Sequence, residues 1–303
     1  MTLPRKTLKE KVESKIKRTT IKAMSTHIQK SSPSLWGMQK PRGFENTCLL
    51  IALYHDLFGV GYNTLESEIS SWMKIAGKSI RHNTKIIREK LSTWADKQIV
   101  TGDYSDWNRA CKNLSEKEQK DGVNLWADSS DFKSKQPKSA SKKSEEHSYK
   151  EDHYADRFTC ISNANGKIVK LFGPYSPKVD DNDFMILSKE WLEENMSGGV
   201  MLADCGYTKA AKEFSKIKII TPTPKPRGRK RKDGEGITKL TNEQVTTNNR
   251  LKALRSRVEN PFADIKNRWN TLSKCFEEGS RQHKYVVKIA IGIRNFEKTS
   301  PTK

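Results

Sequence analysis

Two aspartates each follow a short apolar segment typical of a strand, and a glutamate lies beside the apolar stripe of a long predicted helix. These residues are Asp128, Asp204 and Glu259. Carboxylates brought together from two strand ends and a helix repel one another unless they bind cations, and hard oxygen donors suit Mg²⁺ or Mn²⁺. Two such ions would stabilise the attacking and leaving oxygens of a phosphodiester displacement. The chain has 36 acidic residues, so composition alone does not distinguish these three from solvated carboxylates.

The elements that must position them lie in a predicted α/β domain over residues 121–297. Strands are expected at residues 123–127, 157–162, 167–172, 200–203 and 217–220, with a helix at 183–194 and a long helical region at 248–276. Asn165-Gly166 between the second and third strands predicts a tight hairpin. Chemistry in open α/β sheets lies at strand ends and the loops beside them. Asp128 and Asp204 are expected at such ends.

A proline interrupts the last helical region close to the glutamate. Pro261 lies two residues after Glu259. Proline lacks a backbone donor and clashes with the carbonyl four residues earlier. The helix is therefore expected to kink or to restart at Pro261, with Asn260 as the capping residue.

Residues 43–100 predict a small all-α domain, joined to the α/β domain by a polar linker at 101–120. Helices are expected from Asn46 to about residue 58, over 64–76 and over 80–99, with Ser79 capping the third. This is the outline of a helix-turn-helix, in which residues at the start of the recognition helix contact DNA. The candidate contacts are Arg81, His82, Asn83, Lys85 and Arg88. A plain three-helix bundle with a solvated face fits the pattern equally well.

The net charge of +21 indicates a polyanionic partner, with nucleic acid first and an anionic membrane second. Three tracts, at residues 1–42 (+9), 133–143 (+5) and 216–232 (+8), together carry +22, so the rest of the chain has a net charge of −1. The first is expected to be a disordered tail, and residues 129–148 a flexible insertion. In the third tract, Arg227, Arg229, Lys230 and Arg231 are candidate DNA phosphate contacts. That tract also fits a nuclear localisation signal, and solvated tracts without a target are the alternative.

Cysteine usage and hydropathy indicate a soluble intracellular protein. The five cysteines form no C-x-x-C pair, so a disulfide framework or a cysteine zinc site is not expected. The N-terminus lacks the apolar segment of a secretory signal, and no apolar run is long enough to span a bilayer.

Several motifs resemble the DDE superfamily endonuclease domain of PIF/Harbinger-type transposases. They are MLADCGY (201–207), LTNEQ (240–244), LRSRVENPFADIKNRWNTL (254–272) and IAIGIRNF (289–296). The resemblance covers roughly residues 120–297. It implies an RNase H-like mixed sheet with flanking helices, here preceded by the small all-α helix-turn-helix domain.

The resemblance also implies roles for individual residues. Asp128, Asp204 and Glu259 match the three catalytic acids that hold two Mg²⁺ or Mn²⁺ ions. Asp131 competes with Asp128 for the place of the first acid. Asp181 matches a residue adjacent to the site, and it follows Asp180 where the family usually has histidine.

The implied function is a DNA transposase that hydrolyses a DNA strand and transfers the freed 3′-hydroxyl to target DNA. Its implied partners are transposon ends, target DNA, further copies of the chain and a Myb-like accessory DNA-binding protein, and in a eukaryote it would act in the nucleus. One alternative is a transposase-derived DNA-binding protein without cleavage activity. Another is an RNase H-type RNA-processing nuclease, which the helix-turn-helix outline disfavours.

Overall fold

Six strands form one mixed sheet in the computed structural model, which describes residues 3–31, 44–70, 72–73, 76–225, 239–257 and 261–299. The strands are β1 Leu125–Lys133, β2 His147–Ser148, β3 His153–Asn163, β4 Ile168–Tyr175, β5 Val200–Leu202 and β6 Lys218–Ile220. β3 pairs antiparallel with β1 on one side and with β2 and β4 on the other. β5 and β6 extend the sheet beyond β1 in parallel pairings. This mixed α/β architecture with flanking helices is consistent with a DDE nuclease fold.

The predicted hairpin between β3 and β4 is confirmed. The backbone amide of Gly166 donates to the carbonyl of Asn163, and Gly166 has a φ of +68°. Glycine adopts this left-handed conformation without the steric cost that a Cβ would bring.

The prediction of a flexible insertion starting at residue 129 is wrong at its beginning. β1 continues through Ser129, Ser130 and Asp131 to Lys133, because β3 pairs with it over that whole length. Residues 140–146 of the same stretch form helix α8 (Ala140–Glu146). The polar residues of β1 can lie inside the sheet because other side chains satisfy them, and a hydropathy pattern does not reveal such partners.

The expected linker is also structured. It contains helices α6 (Tyr104–Ala110) and α7 (Glu116–Gln119). Trp107 in α6 is buried in the same cluster as Leu125 of β1, and its indole NH donates to the carbonyl of Thr101. A single large aromatic side chain therefore holds this polar segment against the sheet.

Two helices occupy most of the expected disordered tail, so that prediction is wrong for residues 5–31. α1 spans Arg5–Glu13 and α2 spans Arg18–Ser31. Their apolar residues recur at helical spacing and are buried, namely Leu8, Val12, Met24 and Ile28. The charged residues lie on the opposite faces, so a high net charge coexists with an amphipathic helix.

The next three helices are α3 (Phe44–Phe58), α4 (Tyr62–Ile69) and α5 (Gly77–Asp96). α5 begins at Gly77 with Ala76 in the N-cap position and no side-chain cap, so the prediction that Ser79 caps it is wrong. α5 packs against α2, α3, α4 and the C-terminal helix α14 (Ser280–Thr299). The helices before residue 100 thus share one apolar core with the C-terminal helices and with Phe132 of β1.

The remaining helices lie between the strands and α14. They are α9 (Asp181–Leu187), α10 (Lys189–Asn195), α11 (Asn242–Arg257), α12 (Pro261–Arg268) and α13 (Asn270–Ser273). The single helix expected at 183–194 is interrupted at Ser188. Pro261 is the first described residue of α12, and residues 258–260, which include the proposed cap Asn260, lie outside the described residues, so the kink or restart expected at Pro261 stays a prediction. None of the described helices is both long and apolar enough to cross a membrane.

A close helix contact gives a test of this shared core. A Cβ on Gly292 in α14 would lie 2.7 Å from the Cβ of Ala95 in α5, which is too close for two carbon atoms. We expect Gly292→Ala to lower the free energy of unfolding by about 1–3 kcal/mol through overpacking, despite the higher helix propensity of alanine. Urea unfolding of the full chain measures this.

Gly61→Ala is the matched control, because a Cβ there meets no atom within 4 Å. Equal stability of the Gly292 variant and the wild type would show that α5 and α14 do not pack closely.

Candidate active site

The parallel pairing of β1 and β5 brings two of the predicted acids together. Leu125 pairs with Met201, and Trp126 with Leu202. Continuing this register places Asp128 alongside Asp204, two residues beyond the last pair. Asp128 does not end β1, as the sequence had suggested, because β1 continues along β3. It lies where the parallel partner ends.

A third carboxylate, Asp181, joins them from helix α9. A Cβ on Gly206 would lie 2.8 Å from Oδ2 of Asp181 and 2.8 Å from Oδ1 of Asp204. The two carboxylate oxygens therefore lie within about 5.6 Å of each other, on either side of a residue with no side chain. Asp204 also accepts a hydrogen bond of 2.6 Å from the Gly206 amide. Any larger residue at position 206 would displace one of the carboxylates.

Hydroxyl groups hold Asp181 at this position. Ser129 Oγ lies 2.7 Å from the Tyr207 hydroxyl and 2.7 Å from Thr159 Oγ1. Ser129 and Tyr207 also hydrogen-bond the Asp181 carboxylate, which partly lowers its pKa. This network joins β1, β3 and the segment after β5 to the first residue of α9.

Crowding and burial raise the pKa of two of the three acids. For Asp128 the main cause is burial, and the charges of Asp204 and Asp181 raise the pKa further. The nearby cations Arg255 and Lys150 act in the opposite direction. For Asp181, burial and then the charge of Asp204 raise the pKa. In the absence of a cation, the site therefore disfavours full ionisation.

Asp131, the competitor of Asp128, has a different environment. Its carboxylate is buried and accepts from Arg157 Nε at 2.6 Å, from Arg157 Nη2 at 3.1 Å and from Ser148 Oγ at 2.6 Å. Arg157 also donates through Nη1 to the carbonyl of Val179, two residues before Asp181. Asp131 thus fixes the arginine that supports the loop leading into α9.

Glu259 lies outside the described residues, but its neighbours along the chain are placed. Arg255, four residues earlier, acts electrostatically on Asp128. Phe262, three residues later, packs its ring at 5.5 Å from Phe132 of β1. Both ends of the undescribed segment therefore lie near the strand that carries Asp128.

The carboxylates of this site are donors that a hard cation prefers, but by themselves they do not form a complete metal site. Within the described ranges, no group of three or more His, Cys, Asp or Glu residues is arranged to hold a metal ion. Asp128, Asp181 and Asp204 nevertheless supply carboxylate oxygens, the donors that Mg²⁺ and Mn²⁺ prefer. All five cysteines are free.

The predicted DNA contacts on α5 separate into exposed and buried residues. Arg81, His82 and Lys85 are exposed, and Asn83 is half-buried beside Cys48. The expectation that Arg88 is exposed is wrong, because its side chain is fully buried and ion-paired with Asp56 and Glu278. Arg88 cannot contact DNA from there. The candidate phosphate contacts Arg227, Arg229, Lys230 and Arg231 lie outside the described residues.

Sequence reasoning missed the residues that hold the acids in place. Ser129 and Tyr207 are adjacent or close in sequence to Asp128 and Asp204, and they form the hydroxyl network. Arg157 lies in the middle of β3, and no local pattern relates it to Asp131 or Val179. Of these residues, only Tyr207 could have been identified from the sequence, because it belongs to the motif MLADCGY.

Comparison with known protein families identifies one match. A family model described as DDE superfamily endonuclease matches residues 127–295. The match therefore spans more than half of the chain and includes all five of the acids discussed above. No curated protein and no solved structure matches the chain.

Because the pKa of Asp128 is raised, we expect Asp128→Asn to change the stability of the metal-free protein by an amount that depends on pH. The wild type loses stability as the pH rises from the usual aspartate range through the higher pKa of the folded state. Asparagine does not titrate, so the variant should match the wild type at acid pH and exceed it increasingly as the pH rises through that window. Urea unfolding in EDTA at several pH values measures the difference.

Glu194→Gln, an exposed carboxylate on α10, should show no such trend. A stability gap for Asp128→Asn that shrinks with rising pH would mean that burial and crowding do not raise this pKa.

Because Asp131 is ion-paired, we expect a substitution there to affect stability differently from Asp128→Asn. Asp131→Ala removes the partner of the largely buried Arg157, and breaking a buried pair costs about 3–5 kcal/mol. Asp131→Ala should therefore unfold at lower urea concentration, whereas Asp128→Asn should not. A stable Asp131 variant would show that Asp131 does not support the sheet.

Proposed function

Because the chain belongs to the DDE superfamily endonuclease family, we propose that it is a DNA transposase that cleaves a DNA strand and joins the new end to target DNA. The observation that carries the proposal is the convergence of Asp128, Asp181 and Asp204 where the parallel pair of β1 and β5 ends. The family match covers these residues.

In this proposal, Asp128, Asp204 and Glu259 hold two Mg²⁺ or Mn²⁺ ions. The bound ions would supply Lewis-acid stabilisation of the charge that develops on a phosphodiester during displacement. Asp204 is held by the Gly206 amide, and Asp128 by the pairing of β1 with β3. Asp181 lies beside them, fixed by Ser129 and Tyr207. The placement of Arg255 and Phe262 supports Glu259 as the third acid.

The same carboxylates would serve two successive displacements at phosphorus. In the first, water attacks a phosphodiester of the transposon end, and the displaced strand end leaves as a free 3′-hydroxyl. In the second, that 3′-hydroxyl attacks a phosphodiester of target DNA and displaces an oxygen of the target strand. Rigid support of the acids matters for both steps, since catalysis by charge stabilisation requires groups that do not reorganise.

Residues of α5 and basic residues of the tract at 216–232 supply the DNA contacts in this proposal. Arg81 and Lys85 on α5 are exposed and available, and Asn83 is partly so. Arg227, Arg229, Lys230 and Arg231 would bind phosphates or direct the protein to the nucleus. Assembly with further copies of the chain, and with a Myb-like DNA-binding protein, is part of the same proposal and rests on the resemblance alone.

The alternative is a transposase-derived protein that binds DNA without cleaving it. The raised pKa values of Asp128 and Asp181 argue against it. Crowded, partly buried carboxylates cost stability and contribute nothing to binding a polyanion. A nuclease needs them for cation binding.

The decisive variant is Asp204→Asn, which removes one anionic ligand and keeps the size of the side chain. We expect Mg²⁺-dependent nicking of supercoiled plasmid to fall by several orders of magnitude, because the lost charge acts at the transition state. The metal-free protein should melt at an equal or higher temperature, since one repulsive charge is gone. DNA binding through the basic tracts should remain.

Glu194→Gln is a better control than a change at Glu193, because Glu193 accepts hydrogen bonds from the backbone of Ser215 and Lys216. Full activity of Asp204→Asn would refute the proposed site. A wild type that binds transposon ends but neither nicks nor transfers them would favour the DNA-binding alternative.

A further inference from the structure

A large cleft lies away from the carboxylates, between helices α4 and α5 and the segment that joins α13 to α14. Its volume is about 790 Å³. None of the residues Asp128, Asp181 or Asp204 lines it. Its walls include Tyr62 from α4, the start of α5 and residues 274–282.

Five cationic side chains from three separate parts of the chain line this cleft. They are Arg81, Lys85, Lys135, Lys274 and Arg281. Two glutamates, Glu277 and Glu278, also line it, so cations exceed acids by three. A concave surface with one dominant sign of charge raises the local concentration of the opposite charge.

The cations differ in how far the protein itself neutralises them. Lys135 lies 3.5 Å from Glu277, and Arg281 lies 3.1 Å from Glu89. Within the described part of the chain, Arg81 and Lys274 have no carboxylate partner. Arg81 instead lies over the ring of Tyr62, at 4.9 Å from its centre. Arg81 and Lys274 therefore keep their full charge for an external anion.

The floor of the cleft is rigid and close to neutral. Buried Arg88 donates to Glu278 at 2.7 Å, and the Tyr62 hydroxyl donates to the same carboxylate at 2.6 Å. Burial lowers the pKa of His55, which also lines the cleft, so this imidazole is uncharged at neutral pH. The charge available to a ligand therefore lies on the rim.

We propose that this cleft binds the phosphodiester backbone of DNA, at a distance from the strand that is cleaved. The phosphate ester is the shared chemistry of DNA and of small phosphorylated molecules, and the exposure of the cations favours DNA. The side chains of Lys135 and Arg281 are 64% and 75% exposed. Cations in solvent along an open rim suit a long polyanion, whereas a small ligand requires buried donors that enclose it.

The cleft would hold the DNA flanking the reacting strand, and this part of the inference rests on the proposed function. Its cations come from α5, from the residues after β1, from the segment that joins α13 to α14 and from the start of α14. A duplex bound there would be positioned by elements that share one core with the sheet. Phosphate contacts of this kind fix the register of DNA without reading its sequence.

The test removes the two cations without carboxylate partners. In the full chain, Arg81→Ala combined with Lys274→Ala should flatten the slope of log affinity against log salt by about 1.8, the value for two phosphate contacts. Fluorescence anisotropy with a random-sequence duplex in EDTA measures this without cleavage. The matched control is Lys112→Ala with Lys120→Ala, which removes two exposed cations elsewhere and should leave the slope unchanged.

An unchanged slope in the cleft variant, or an equal change in the control, would overturn the proposal. If the cleft variant melts at a lower temperature, the pair Arg81→Gln and Lys274→Gln, which removes both charges but keeps long polar side chains, replaces it and should flatten the slope by the same amount. Displacement of the duplex by ATP beyond the effect of equal ionic strength would assign the cleft to a small phosphorylated ligand instead. Because binding is measured without metal, a protein that never nicks DNA would refute the nuclease function and leave this result intact.

Discussion

Repulsion between carboxylates at one place in the sheet is the constraint on which the rest of this structure depends. Oxygens of Asp181 and Asp204 lie within about 5.6 Å of each other, and Asp128 interacts electrostatically with both. Flexible segments would move such groups apart. Here each acid has a support of its own, namely the β1–β3 pairing, the Gly206 amide and the hydroxyls of Ser129 and Tyr207. The repulsion that remains can be relieved by a cation.

Two buried ion-pair networks join segments that lie far apart in the chain. Asp131 and Arg157 link the sheet to the loop before α9. Arg88 links α3 and α5 to the segment before α14 through Asp56 and Glu278. A buried charge that loses its partner is strongly unfavourable, so each network allows few other arrangements of the elements it joins. The helices before residue 100 are therefore part of the scaffold around the sheet.

Acidic groups and exposed cations occupy different parts of the protein. Among the described residues, three acids meet where β5 ends, and exposed cations line a separate cleft. Under the proposed function, this separation would let DNA be held by salt-dependent contacts at one surface and reach the acids at another. If the cations lay beside the acids, they would neutralise the carboxylates and weaken the binding of metal ions. Among the described residues, Arg255 and Lys150 are cations that act on Asp128 directly.

Local chemistry in the sequence was sufficient to predict the β3–β4 hairpin and two acids beside predicted strands. Each of these depends on the conformational preferences of a few consecutive residues. The length of β1, the packing of Trp107, helices α1 and α2, and the burial of Arg88 were not predicted. The same holds for the ion pair that distinguishes Asp131 from Asp128. These features depend on partners far away in the chain, such as Arg157 for Asp131 and Glu278 for Arg88. Whether a polar side chain is solvated or buried is decided by those partners, and only the tertiary structure brings them together.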